Sequence, residues 1–74
     1  MNKQEIADRY AKNNDFDMAE LVAIKEGMTY FRLTWVPHPK YTGHPNIIKI
    51  SQTGEILIVT DREEKYWAIG QPKL

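Results

Sequence analysis

The stretch Phe16-Asp17-Met18-Ala19-Glu20-Leu21-Val22-Ala23-Ile24-Lys25-Glu26 decides the architecture of this chain, because it reads two ways. As a helix, Asp15 or Asp17 caps its start, Met18, Ala19, Glu20 and Leu21 carry high helical propensity, and Gly27 is the stop. As a strand, residues 21 to 25 pair with residues 28 to 36 across a two-residue Glu26-Gly27 turn, in which glycine supplies the positive φ of a tight hairpin. The strand reading is favoured: Val22 and Ile24 are β-branched, and the segment that follows is itself a strand.

In that following segment Phe31, Leu33 and Trp35 point one way while Tyr30, Arg32 and Thr34 point the other, the period-two alternation of a half-buried strand. Pro37 ends it. Residues 37 to 45 hold three prolines and a glycine, which rules out a helix or a central strand and predicts a loop longer than a usual hairpin connection. Residues 46 to 51 and 55 to 60 then read as a hairpin over Gln52-Thr53-Gly54, rich in isoleucine. Residues 61 to 64 read as a charged turn and residues 66 to 69 as a short last strand, before a Gly70-Gln71-Pro72 tail.

Upstream, Asn2 is placed to cap a helix over residues 3 to 13, whose Ile6 and Tyr10 form an apolar stripe with Ala7 and Ala11 beside it. Glu5 with Arg9 and Asp8 with Lys12 are i,i+4 pairs that each contribute only about 0.2 to 0.5 kcal/mol, so the stripe must pack on something. The expected fold class is α+β, one domain over residues 1 to 74: an N-terminal helix on a four- or five-stranded antiparallel meander. The helical reading of residues 16 to 26 gives instead two N-terminal helices on a three- or four-stranded sheet. The expected core is Ile6, Tyr10, Leu21, Phe31, Leu33, Trp35, Ile48, Ile50, Ile56, Ile58 and Trp67.

Composition narrows the function. The 74 residues contain no cysteine, which excludes a disulfide framework, a thiolate zinc site and a cysteine nucleophile, and points to a reducing, cytoplasmic setting. The N-terminus leads straight into a charged amphipathic segment rather than a signal-peptide apolar run, and no apolar run approaches the roughly 20 residues of a membrane span. Four scattered glycines form no phosphate-binding loop, so no nucleotide cofactor is expected. His38 and His44 lack the further ligands that a zinc site needs, and no motif sets a nucleophile or carboxylate beside them. Neither a metal nor catalysis is expected.

Charge is the one oddity. The chain is neutral overall, yet residues 27 to 54 contain no acid, only Arg32, Lys40 and Lys49 with the two histidines. Tyr30, Arg32, His38, Lys40, Tyr41, His44 and Lys49 therefore make a basic, aromatic central region and are the candidate binding residues. The expectation is a non-enzymatic protein-interaction module, self-associating as a homodimer or meeting a protein partner, helped by the entropy-poor proline loop, the Tyr41 anchor and open sheet edges. The alternative is a nucleic-acid-binding module on residues 30 to 49, where cations meet phosphates and rings stack on bases.

Overall fold

The computed structural model describes residues 2 to 35 and 45 to 71. Helix α1 (Lys3–Asn13) is followed by strands β1 (Met18–Lys25), β2 (Met28–Thr34), β3 (Asn46–Ile50) and β4 (Ile56–Val59), and by helix α2 (Arg62–Ile69). The strands form one antiparallel sheet in the order β1-β2-β3-β4, an α+β meander. Residues 16 to 26 thus contribute a strand, not a second helix.

Local chemistry fixes the boundaries. The Asn2 side chain accepts from the Glu5 amide at 2.8 Å and starts α1. At the other end Asp15 takes φ 67° and the Phe16 amide reaches back to the Ala11 carbonyl at 2.8 Å, the six-to-one bond of a Schellman ending. Trp35, just beyond β2, donates from Nε1 to the Asp15 carbonyl at 2.7 Å and packs its ring on Phe16, centroids 4.8 Å apart. The β1–β2 turn has positive φ at both Glu26 (53°) and Gly27 (78°), the signature of a type I′ hairpin. The β3–β4 hairpin closes with Gly54 at φ 87° and its amide on the Ser51 carbonyl, a three-residue loop ending in a glycine bulge.

Both faces of the sheet are covered. On one, Phe31, Leu33, Ile48, Ile50 and Ala19 pack against Ala7 and Ala11 of α1, with Ile6, Tyr10, Phe16 and Ile56 at the margin. On the other, Ala23, Tyr30, Ile47 and Val59 pack against Ala68 of α2, flanked by Val22, Met28, Trp67 and Ile69. Each fully buried large side chain such as Phe31, Ile48 or Ile50 contributes about 1.5 to 3 kcal/mol. Alanine at the helix contacts lets both helices sit close to the strands.

A bulge in β1 makes this two-sided arrangement work. Leu21 lies opposite Phe31 and Ala23 opposite Tyr30, with Val22 extra between them. In a regular strand Ala19 and Ala23, four apart, would point to the same face. With the bulge, Ala19 sits under α1 and Ala23 under α2.

Two expectations need correction. Residues 66 to 69 are not a strand but the end of α2, and residues 62 to 64 are its first turn rather than a loop, because the Asp61 side chain accepts from the Glu64 amide at 3.0 Å and caps a helix there. Leu21 and Ile58 are not core: α1 meets β1 at Ala19 rather than at Leu21 and does not extend over β4, so these two, on the outer strands of the same face, stay 40% and 64% exposed. No helix among the described residues is long and apolar enough to cross a membrane.

Candidate functional site

Two features stand apart from the packing: a polar cluster beneath α2 and, among the described residues, an open apolar edge at β4.

The cluster forms where β2, β3 and α2 meet. Tyr30 and Lys49 are cross-strand partners on the α2 face, so their side chains rise side by side. Capping by Asp61 sets the pitch of α2 so that Glu64, in its first turn, comes down onto both. One carboxylate oxygen, Glu64 Oε2, accepts from the Tyr30 hydroxyl at 2.6 Å and from Lys49 Nζ at 2.8 Å. Tyr30, only 4% exposed, meets Trp67 edge-on with ring centroids 5.3 Å apart, and Lys25 Nζ lies over the Trp67 ring, 4.8 Å from its centroid. An open groove of about 500 Å³ runs past Lys25, Met28, Tyr30, Lys49, Glu64 and Trp67.

The electrostatics of this cluster hold protons in place rather than move them. Burial, then the hydrogen bond to Glu64 and the negative charge of that carboxylate, push the Tyr30 phenol up to about 12. The hydrogen bonds from Lys49 and then Tyr30 hold the Glu64 carboxyl below its ordinary range, against an opposing effect of partial burial. A phenol this hard to ionise is a poor general base at neutral pH. The group acts as a clamp that ties a short helix to the sheet.

Of the seven residues expected to form the binding region, Tyr30 and Lys49 are brought together here. Arg32 lies on the same face of β2, opposite Ile47 and Glu20, and is half-buried. His38, Lys40, Tyr41 and His44 lie outside the described residues. Sequence reasoning missed Glu64, which breaks the apparent acid-free surface by reaching across from α2. No group of three His, Cys, Asp or Glu side chains among the described residues could hold a metal ion.

The second feature is an asymmetry between the sheet's two edges. At β1, the backbone of Ala19 points outward and α1 covers it: the Ala19 amide donates to Asp8 Oδ1 at 3.0 Å, and Gln4 Nε2 donates to the Ala19 carbonyl at 2.8 Å. Together with the bulge at Val22 and the charged Glu20 and Lys25, this blunts the strand as a template for another. At β4, shortness is the only such device among the described residues. Its residues Ile56, Leu57, Ile58 and Val59 are uncharged, and Leu57 is 40% exposed beside the still more exposed Ile58. Since the Ser51 amide bonds the Glu55 carbonyl, the alternation of the antiparallel ladder directs the amides and carbonyls of Ile56 and Ile58 away from β3, toward the open side. A further groove of about 240 Å³ bordered by Tyr10, Phe16, Leu33, Ile48 and Ile58 adjoins that edge.

Compared with known proteins, the chain matches no family model, no curated protein and no solved structure.

Proposed function

We propose that this domain is a non-enzymatic protein-interaction module whose contact surface is the open edge of β4. The observation that supports it is the pairing of outward backbone donors and acceptors at Ile56 and Ile58 with exposed apolar side chains on an uncharged strand. Strand addition supplies main-chain hydrogen bonds for affinity and alternate side chains for selectivity. The opposite edge is blunted by α1, which leaves β4 as the side on which a partner strand fits.

The nucleic-acid alternative draws less support. Lys49 is neutralised by Glu64, and the Tyr30 ring lies beneath α2, where no base can stack on it.

The interaction reading is tested with a photo-crosslinking residue in place of Ile58 in living cells, and in place of Glu20 on the other edge as a control. Specific adducts from position 58, lost when Leu57→Lys is added, are the expected result. A position that yields no adducts, or yields the same ones as the control, refutes the reading.

A further inference from the structure

We infer that the strand received by β4 is β4 of a second copy, joined antiparallel across a two-fold axis normal to the sheet, so that two four-stranded sheets become one of eight strands. This rests on the interaction reading above and names its partner.

The geometry selects both the operator and the register. An antiparallel pair of identical strands related by a two-fold normal to the sheet keeps each face on its own side, so Leu57 of one copy can oppose only residues on the α2 face, and Ile56 and Ile58 only those on the α1 face. Main-chain bonds must form between residues whose backbones point outward, which on β4 are Ile56 and Ile58. Three registers satisfy this. Centring the axis on Ile56 sets Ile58 opposite Gly54 of the second copy, whose amide is already spent on the Ser51 carbonyl of its own turn, which leaves the Ile58 carbonyl without its donor. Centring the axis on Ile58 sets Glu55 opposite Asp61 of the second copy, two like charges face to face, which is destabilising. Centring it on Leu57 sets Ile56 opposite Ile58 of the second copy twice over, sets Leu57 on Leu57, and brings no charged pair into direct opposition. The register centred on Leu57 is the one that fits.

The α1 face continues the match. Ile58 borders the groove beside Tyr10 and Phe16, and pairing places Ile56 of the second copy next to it, covering the most exposed apolar side chain of the described residues. The contact is built on one four-residue strand per copy, well short of the roughly 1,200 Å² or more buried by stable interfaces. The dimer is therefore weak and reversible.

The chain has no cysteine, so a single introduced thiol reports this register without interference. In the inferred dimer, Leu57→Cys stands opposite itself at a non-hydrogen-bonded pair, where Cβ atoms lie about 4.5 to 5.5 Å apart, close enough to bridge with small adjustment. Sedimentation equilibrium of the purified chain over a concentration series should show a reversible monomer–dimer exchange that Ile58→Lys abolishes while the far-ultraviolet spectrum stays unchanged. Under mild oxidation Leu57→Cys should form covalent dimer at least about ten-fold faster than Glu20→Cys. Dimer that survives Ile58→Lys, or equal crosslinking at the two edges, overturns the inference. A chain that stays monomeric at every concentration overturns it too, and leaves the interaction reading standing if position 58 still gives adducts with other proteins in cells. With neither dimer nor adducts, both fail.

Discussion

Replacing Glu64 with alanine removes the one acceptor that Tyr30 and Lys49 share, and the size of the effect can be worked from their surroundings. The Tyr30 hydroxyl belongs to an almost fully buried residue, so stranding it costs roughly 1 to 3 kcal/mol. The Lys49–Glu64 pair, with side chains 25% and 27% exposed, adds at most about 1 kcal/mol after solvent screening. Glu64→Ala should therefore lose about 1 to 4 kcal/mol, which for a domain of this length lowers Tm by roughly 5 to 30 °C. Tyr30→Phe, which removes the donor together with its need for a partner, should lose only about 1 kcal/mol. Urea unfolding followed by circular dichroism gives both values. The pH dependence supplies an internal check, because the folded carboxyl of Glu64 lies below its ordinary value of 4.5. A depressed carboxyl contributes stability that is fully present above the unfolded value and is lost as pH falls through the folded one. The gap between the native chain and Glu64→Ala should thus narrow below pH 4.5 and hold steady above it. A loss under about 0.5 kcal/mol at neutral pH, the level of an ordinary surface change, would refute the clamp. So would a gap that does not narrow in acid.

The Tyr30 phenol, raised from 10.0 to about 12, carries the opposite sign: its contribution is intact below pH 10 and declines as pH climbs toward 12. In an alkaline absorbance titration one of the four tyrosines should ionise last, together with unfolding, and Tyr30→Phe should delete that phase; uniform ionisation of all four would contradict it. Glu26 holds φ 53° in a type I′ turn where asparagine is favoured, so Glu26→Asn should raise stability by about 0.5 to 1 kcal/mol, and a loss on thermal melting would speak against the turn assignment. Asp8→Ala combined with Gln4→Ala uncovers the Ala19 backbone and should both lower stability by about 1 kcal/mol and open a second associating edge, seen as higher oligomers on light scattering. Unchanged association would mean that α1 does not guard β1.

Much of the fold was legible because its signals are local. Gly27 after a β-branched run, the alternation from Tyr30 to Trp35, and the isoleucines flanking Gln52-Thr53-Gly54 each declare a hairpin within a dozen residues, and Asn2 declares the helix start. The C-terminal helix carries a local signal too, Asp61 followed three residues later by Glu64 being a capping pattern, but the apolar Tyr66-Trp67-Ala68-Ile69 run beside it reads equally as a short strand. Leu21 and Ile58 looked like core because alternation assigns a face but not a position across the sheet, and only the strand order reveals which strands lie outermost. Glu64 is 34 residues from Tyr30, and their contact depends on how α2 folds back, which no local pattern encodes. The alanines Ala19, Ala23 and Ala68 carry no core signal in the sequence for a related reason, since a small residue marks close approach only once its neighbour is known.

The two tryptophans fall one to each layer, Trp35 against Phe16 beside α1 and Trp67 against Tyr30 beneath α2. The molecule thereby carries a separate optical reporter for each half of its interior. Trp35→Phe leaves fluorescence that watches only the α2 side, and Trp67→Phe leaves fluorescence that watches only the α1 side. If the two traces coincide during denaturation, the sheet transmits disruption from one face to the other as a unit. If the α2 signal departs first, the short helix is an independently detachable flap, and the emission of Trp67 becomes a direct readout of anything that opens or closes it.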